Sequence, residues 1–502
     1  MTKAPSLTRR EAIHLLGAGL VGGALAPLAQ AAQAAAPADE LLAAPVTAIA
    51  RAIRAHEVSS AELTLAYLHR IEALNPALNA IVHVGAEQAM AAARAADAAL
   101  ARGEAPGALH GVPMTLKDSI DTAGMLTTYG TLGRSAFVPE RDATVAARLK
   151  AAGAVLLGKS NTPEFTLSFE TDNLVFGRTK NPFDAGRSPG GSSGGAAAAV
   201  TAALCAFDIG SDTGGSIRVP SHFCGTAGLK PTHGRVPRTG HAIAPGGLHD
   251  ALTDMGPIAR SVADLELILH VIMGPDGLDA AVPPAPLGES SAVAMAGLRV
   301  GWHADNGLYT PTPAIRAVIA AAARSLAEAG ALLVEAVPPL PGSIDEFLAL
   351  YAWMSDGGAW IQRLLDAAGT RTPHPALAVQ IDPAYQVSSD ELTRQIEAQG
   401  AFRGAVRAFM QDYDVLVTPA AGFPAPRFGT TEDDAHYPGY SYTQVYNLSG
   451  LPAAVVRCGT SPEGLPIGVQ VAAQPWREDV ALAVARHLER EFGGWRPPPV
   501  TR

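Results

Sequence analysis

Two stretches rich in glycine and serine carry the residues best suited to chemistry: Ser188-Pro189-Gly190-Gly191-Ser192-Ser193-Gly194-Gly195 and Asp212-Thr213-Gly214-Gly215-Ser216. Ser192 and Ser216 stand 24 residues apart. The first stretch contains Gly190-x-Ser192-x-Gly194, the pattern of a strand-to-helix elbow that would expose Ser192 as a nucleophile. Such an elbow leaves a strand directly, whereas residues 182–189 are rich in breakers, so the elbow is disfavoured. A second tempting match, Gly153 through Gly158-Lys159-Ser160, fits the phosphate-loop expression. There the four intervening residues are themselves an apolar strand, and Asn161-Thr162-Pro163 is a poor helix start, which argues against nucleotide binding. The 14 histidines show no clustered ligand spacing, and Cys205, Cys224 and Cys458 are too far apart for a metal or disulfide framework. Neither a metal nor a cofactor is expected.

The picture sharpens when three blocks are read together: Gly111-Val112-Pro113-Met114-Thr115-Leu116-Lys117-Asp118, the loop around Ser192, and Asp212 through Ser216-Ile217-Arg218-Val219-Pro220. In this order and spacing they resemble the amidase signature family. The likeness continues through Gly228-Leu229-Lys230-Pro231-Thr232, Gly256-Pro257-Ile258-Ala259-Arg260 and Asn447-Leu448-Ser449-Gly450-Leu451-Pro452, and spans about residues 45 to 490. The resemblance implies a single large α/β/α domain around a mixed, mostly parallel sheet. It gives Ser216 the nucleophile's place, Ser192 that of the bridging serine after a cis Gly191–Ser192 peptide, and Lys117 that of the base. One departure is visible at Ala251-Leu252-Thr253-Asp254-Met255, where many relatives read Ser-Leu-Asp-Gln.

The chemistry of these residue types agrees with the resemblance. A serine hydroxyl needs a base within hydrogen-bond reach, and lysine serves only if burial keeps part of it unprotonated. Lys117 follows the apolar run 112–116, which favours burial. A proton would pass from Ser216 through Ser192 to Lys117 and return to the leaving amine. Thr213, Gly214, Gly215 and Ser216 offer successive backbone N–H groups for an oxyanion hole. Asp212, Arg218 and Ser193 are expected to support this site without taking part in bond making.

The elements that must position these residues alternate. Spaced apolar residues predict helices over 63–73 and 87–101; a helix capped at Asp142-Ala143-Thr144 is expected to run to Ala152 and lead into a buried strand at 154–157. A small-residue helix is expected over 196–206. The glycine-rich 208–216 reads as a loop. Further strands are expected at 298–302, 332–337, 415–418, 453–456 and 467–471, between helices near 260–273, 313–329 and 478–491. Variable segments 125–135, 305–310, 351–361 and 436–446 are the candidate pocket walls.

Composition bounds the rest. With 502 residues, 48% hydrophobic and 17% charged, the chain has the means to bury a large core. A net charge of −10 without a basic block excludes a nucleic-acid surface. Thr8-Arg9-Arg10-Glu11 before an apolar run from about Ile13 to Ala26, then Ala29-Gln30-Ala31, reads as a twin-arginine export signal occupying residues 1–36, with the catalytic domain over 37–502. The mature protein would then be periplasmic and not membrane-inserted; without a working signal it would be cytoplasmic.

Taken together, the residues suggest an exported hydrolase of a small carboxamide, with water as second substrate and a homodimer as one possible assembly. Two alternatives stay open: a glutamine-hydrolysing amidotransferase subunit in a multi-subunit complex, and a carbamate or ester hydrolase of the same fold.

Overall fold

The computed structural model describes residues 38–247, 249–352 and 355–501, so the expected export signal lies outside the described residues. In chain order the first half contains α1 (Val46–Arg54), α2 (Ser60–Leu78), β1 (Ile81–Val84), α3 (Ala86–Ala101), β2 (Pro113–Lys117), α4 (Thr144–Ala151), β3 (Val155–Ser160), α5 (Gly194–Thr201), β4 (Phe207–Asp212), α6 (Arg218–Cys224), β5 (Ala227–Lys230), β6 (Asp254–Ala259) and α7 (Val262–Ile272). The second half adds β7 (Arg299–Trp302), α8 (Pro313–Glu328), β8 (Leu332–Glu335), α9 (Ile344–Ala349), α10 (Ala359–Ala368), α11 (Pro375–Ala378), α12 (Ser389–Phe409), β9 (Val415–Pro419), α13 (Ser441–Leu448), β10 (Ala453–Thr460), β11 (Pro466–Ala473) and α14 (Glu478–Phe492).

All strands join one 11-stranded sheet in the order β1-β3-β2-β4-β6-β5-β10-β11-β9-β7-β8. The sheet is mixed, flanked by helices, as expected, but its parallel pairing is confined to β3–β2–β4 and β9–β7–β8. The remaining neighbours are antiparallel, so the sheet is less parallel than βα alternation implied. One of these reversals is local: β10 and β11 are joined by a short connection, which can only reverse the chain.

Local chemistry sets several element ends. Ser59 and Glu62 cap α2 reciprocally, and Ser261 accepts the Asp264 N–H at the start of α7. Asp142 does not cap α4: the N-cap residue is Ala143, while the Asp142 carboxylate takes the Ala123 N–H and binds Lys150. Helix α5 is buried on every side, which its run of alanines permits, and it stops at Thr201 because Ala203 adopts a left-handed φ of 55°. The freed chain enters β4, a fully buried strand within a stretch that reads as loop from its glycines. A strand hidden on both faces carries no period-two signal. The phosphate-loop match at 153–160 is likewise strand β3, with Lys159 buried against the Ile120 carbonyl and the Thr122 hydroxyl.

Candidate active site

Parallel pairing of β2 with β4 brings Lys117, the last residue of β2, to the same end of the sheet as Ser211 and Asp212, the last of β4. Lys117 is fully buried. Its Nζ lies 2.6 Å from Ser192 Oγ, 3.0 Å from Ser193 Oγ and 3.0 Å from Ser211 Oγ. Burial pushes its pKa well below the ordinary lysine value, and the nearby carboxylates Asp212 and Asp208 only partly restore it. Burial thus disfavours the protonated amine among three hydroxyls, the direction in which a lysine becomes able to accept a proton.

The loop ahead of α5 delivers Ser192 through a cis Gly191–Ser192 peptide. Gly191 has no room for a side chain: a Cβ there would lie 2.6 Å from the backbone of Ser168 and Phe169. Ser193 ties both glycine-rich stretches together, its N–H donating to the Ser216 carbonyl at 3.1 Å and its hydroxyl to the Ser211 carbonyl at 3.2 Å. Ser216 sits in the turn between β4 and α6 and lines a cavity. Among the described residues its hydroxyl makes no hydrogen bond to Ser192, so the chain of contacts expected from Ser216 to Lys117 runs from Ser192 to Lys117 and leaves the first link open.

Behind Ser216 lies a buried ionic network. Arg218 binds Asp212 through Nε at 3.0 Å and Nη2 at 2.8 Å, and also reaches the Thr443 carbonyl, Gln470 and Asn447. Burial alone would raise the Asp212 pKa, but the Arg218 guanidinium and the Asn447 amide hold it well below the carboxylate range. Asp212 also accepts the N–H groups of Gly215 at 2.8 Å and Ile217 at 3.1 Å. This corrects one expectation about the oxyanion hole: the Gly215 N–H is committed to Asp212, and Thr213, Gly214 and Ser216 are the members of that set that line the cavity. The Thr443 hydroxyl holds the Gly214 carbonyl at 2.7 Å, and Thr213 Oγ1 meets Thr253 Oγ1 at 3.0 Å. Thr253 belongs to the segment that departs from the family pattern, so that departure touches the site's edge.

The cavity beside Ser216 holds about 620 Å³. Its walls come from 166–169, from α9 with Tyr351, Ala352 and Ser355, from 376–385, and from Glu432, Tyr437 and Gln444. Two of the expected wall segments, 351–361 and 436–446, contribute; 125–135 and 305–310 do not. Among the described residues no lysine, arginine or histidine lines it, and its charged groups are Asp345 and Glu432. Glu432 accepts the Phe169 N–H at 2.7 Å and the Ser168 hydroxyl at 3.0 Å, and burial raises its pKa. A second cavity of about 530 Å³, lined by Arg187, Phe423, Arg427 and Glu463 among others, includes none of these serines.

Sequence reasoning missed Ser211 and gave no site contact to Asn447, Thr443 or Gln444, although the last two fall in the expected wall segment 436–446. Ser211 was legible in principle, since it directly precedes Asp212; the other three lie more than 200 residues downstream and meet Asp212 and Gly214 only through folding.

A model of the family described as Amidase matches residues 62–482. A glutamyl-tRNA(Gln) amidotransferase subunit from Synechococcus sp. (strain CC9605) is 38% identical over 478 residues, covering 89% of this chain and 96% of that protein. Its counterpart in Moorella thermoacetica is 36% identical over 469 residues, covering 88% and 95%. Among solved structures, 6-aminohexanoate cyclic dimer hydrolase superposes with a TM-score of 0.82 at 30% identity, covering 92% of this chain and all of that one. A bacterial aryl acylamidase gives 0.79 at 27% identity, covering 89% and 96%. From the fold, the family match and these likenesses together, the chain belongs to the amidase signature family of C–N bond-acting enzymes.

Proposed function

We propose that the protein hydrolyses a small carboxamide through an acyl-enzyme on Ser216. The observation that carries this reading is the 2.6 Å contact between a buried, pKa-depressed Lys117 and Ser192 beside a cavity that Ser216 lines. Ser216 Oγ attacks the carbonyl carbon as its proton moves to Ser192 Oγ, whose own proton moves to Lys117 Nζ. The N–H groups of Thr213, Gly214 and Ser216 face the developing oxyanion, each such donor being worth about 100–1,000-fold in rate. Collapse breaks the C–N bond, the amine leaves with the proton returned through Ser192, and water repeats the sequence to free the acid.

The activity for which the Synechococcus and Moorella relatives are named supports a second reading, release of ammonia from glutamine within a multi-subunit complex. The cavity's charge favours the first. Glutamine carries an α-ammonium that Asp345 or Glu432 can meet, but also an α-carboxylate, for which the cavity offers no cationic side chain among the described residues. A neutral or cationic amide meets no such penalty.

Incubating the purified protein with a panel of aliphatic amides, anilides, carbamates and glutamine tests this directly. Hydrolysis of amides, its loss in Ser216→Ala, and covalent capture of Ser216 by a serine-reactive phosphonate are expected. Turnover of glutamine alone, dependent on a co-purifying partner protein, would overturn it, and a phosphonate adduct on Ser192 would reverse the two serine roles.

A further inference from the structure

Gln444 places a side-chain amide in the cavity wall with one of its two polar atoms unpaired. It is only 3% exposed and lies on α13, next to Thr443, whose hydroxyl holds the Gly214 carbonyl. A Cβ built on Gly214 would meet Gln444 Cγ at 3.6 Å and Nε2 at 4.0 Å, so the amide sits over the strand end that leads to Ser216. The amide contacts the Tyr437 hydroxyl, another cavity residue. Its Oε1, however, is buried and has no hydrogen-bond partner among the described residues.

A buried carbonyl without a donor is unfavourable, and native structures keep few of them. Other amides of the same region are fully used: Gln470 Nε2 serves Thr418, Pro419 and Tyr442, and Asn447 Nδ2 serves Asp212 and Leu252. Gln444 Oε1 has no such partner, and unlike Gln470 and Asn447 this side chain lines the cavity. The last torsion of a glutamine is broad, so a small turn brings Oε1 toward a bound molecule. Of the cavity's two carboxylates, Glu432 already accepts from the Phe169 N–H and the Ser168 hydroxyl.

We propose that Gln444 Oε1 accepts a hydrogen bond from the N–H of the substrate's amide, making the site selective for primary and secondary amides over tertiary amides and esters. This rests on the amide-hydrolase reading given above. A site that leaves a polar group unpaired without the right ligand discriminates strongly against analogues lacking the matching hydrogen.

The test compares kcat/KM on 4-nitroacetanilide, its N-methyl derivative and 4-nitrophenyl acetate for the wild type, Gln444→Leu and Gln444→Glu. Gln444→Leu is expected to lose about 10–100-fold on the anilide while changing the other two less than about 3-fold. Gln444→Glu, which keeps an acceptor, is expected to retain the preference for the N–H substrate. Equal losses on all three substrates, or an unchanged anilide rate in Gln444→Leu, overturn the proposal. Phosphonate capture of Ser216 is followed in parallel in each protein: an enzyme that still captures it but shows equal losses refutes the role of Gln444 alone. A wild type that neither captures it nor hydrolyses any of the three refutes both readings.

Discussion

At the scale of single residues, Lys117 and the glycine before Ser216 carry the sharpest expectations. A base must be unprotonated, and burial lowers the Lys117 pKa, so kcat/KM should rise with pH through that lowered value and then level off. Lys117→Ala should lose about 100–10,000-fold near neutral pH. Lys117→Arg should not rescue it, because a guanidinium keeps its proton. A pH profile that is flat for the wild type would remove the lysine from proton transfer. Gly215 and Gly214 look equivalent in sequence but are not in space. Gly215 has φ +133°, and a Cβ there would meet Thr443 Oγ1 at 2.3 Å, whereas one on Gly214 finds ordinary contacts from 3.4 Å outward. The backbone strain alone costs about 1–3 kcal/mol. Gly215→Ala should therefore lower the unfolding temperature and abolish turnover, while Gly214→Ala leaves the unfolding temperature nearly unchanged. Removing Thr443 in a double variant should recover only the part of the loss due to the contact.

At the scale of elements, the site is a junction of strand ends and helix starts. Strand β4 ends in Asp212, α6 begins with Arg218, and α13 contributes Thr443 and Asn447 one helical turn apart on one face. The ion pair of Asp212 and Arg218 is fully buried on both sides. Removing one partner strands the other charge, so Arg218→Met should destabilise the fold by about 3–5 kcal/mol in denaturant unfolding. Loss of activity without loss of stability would place Arg218 in the chemistry instead. This junction also shows why the sequence was partly legible. The glycine-rich blocks advertise close backbone approach, and their order and spacing carry the family resemblance from which the roles of the serines and Lys117 are proposed. They did not reveal that 207–212 is a strand, since a central strand buried on both faces has no polar side to mark it.

For the whole molecule, burial of titratable groups couples stability to pH. His222 is buried between the Gly468 N–H, which donates to its Nδ1 at 2.7 Å, and the Phe423 carbonyl at 3.0 Å from its Nε2. Burial lowers its pKa from 6.5 to about 4. Below 6.5 the unfolded chain takes up a proton that the folded one refuses, so the stability contributed by neutral His222 is full above 6.5 and lost as pH falls toward 4. Asp208 and Glu489, both raised to about 7 by burial, act in the opposite direction over the same range. The contribution of His222 is isolated by difference. The gap in unfolding free energy between wild type and His222→Gln should shrink by about 2 kcal/mol from pH 7.5 to 5. A gap independent of pH would mean that His222 titrates with the same pKa in the folded and the unfolded chain.

The sequence by itself determined the family, the mixed α/β architecture and the three positions on which the proposed chemistry rests, because close backbone approach and strand burial constrain residue type at short range. Lys117, Ser192 and Ser216 are legible since each sits in a local motif whose glycines and apolar residues have no cheaper explanation. Tertiary structure alone decided the pairing of β2 with β4 that sets Lys117 against three serines, and the commitment of the Gly215 N–H to Asp212. It also brought α13 and Glu432 across more than 200 residues to close the cavity without a cation among the described residues. Those contacts depend on register and on distant segments packing together, and neither leaves a periodic trace in the chain that makes them.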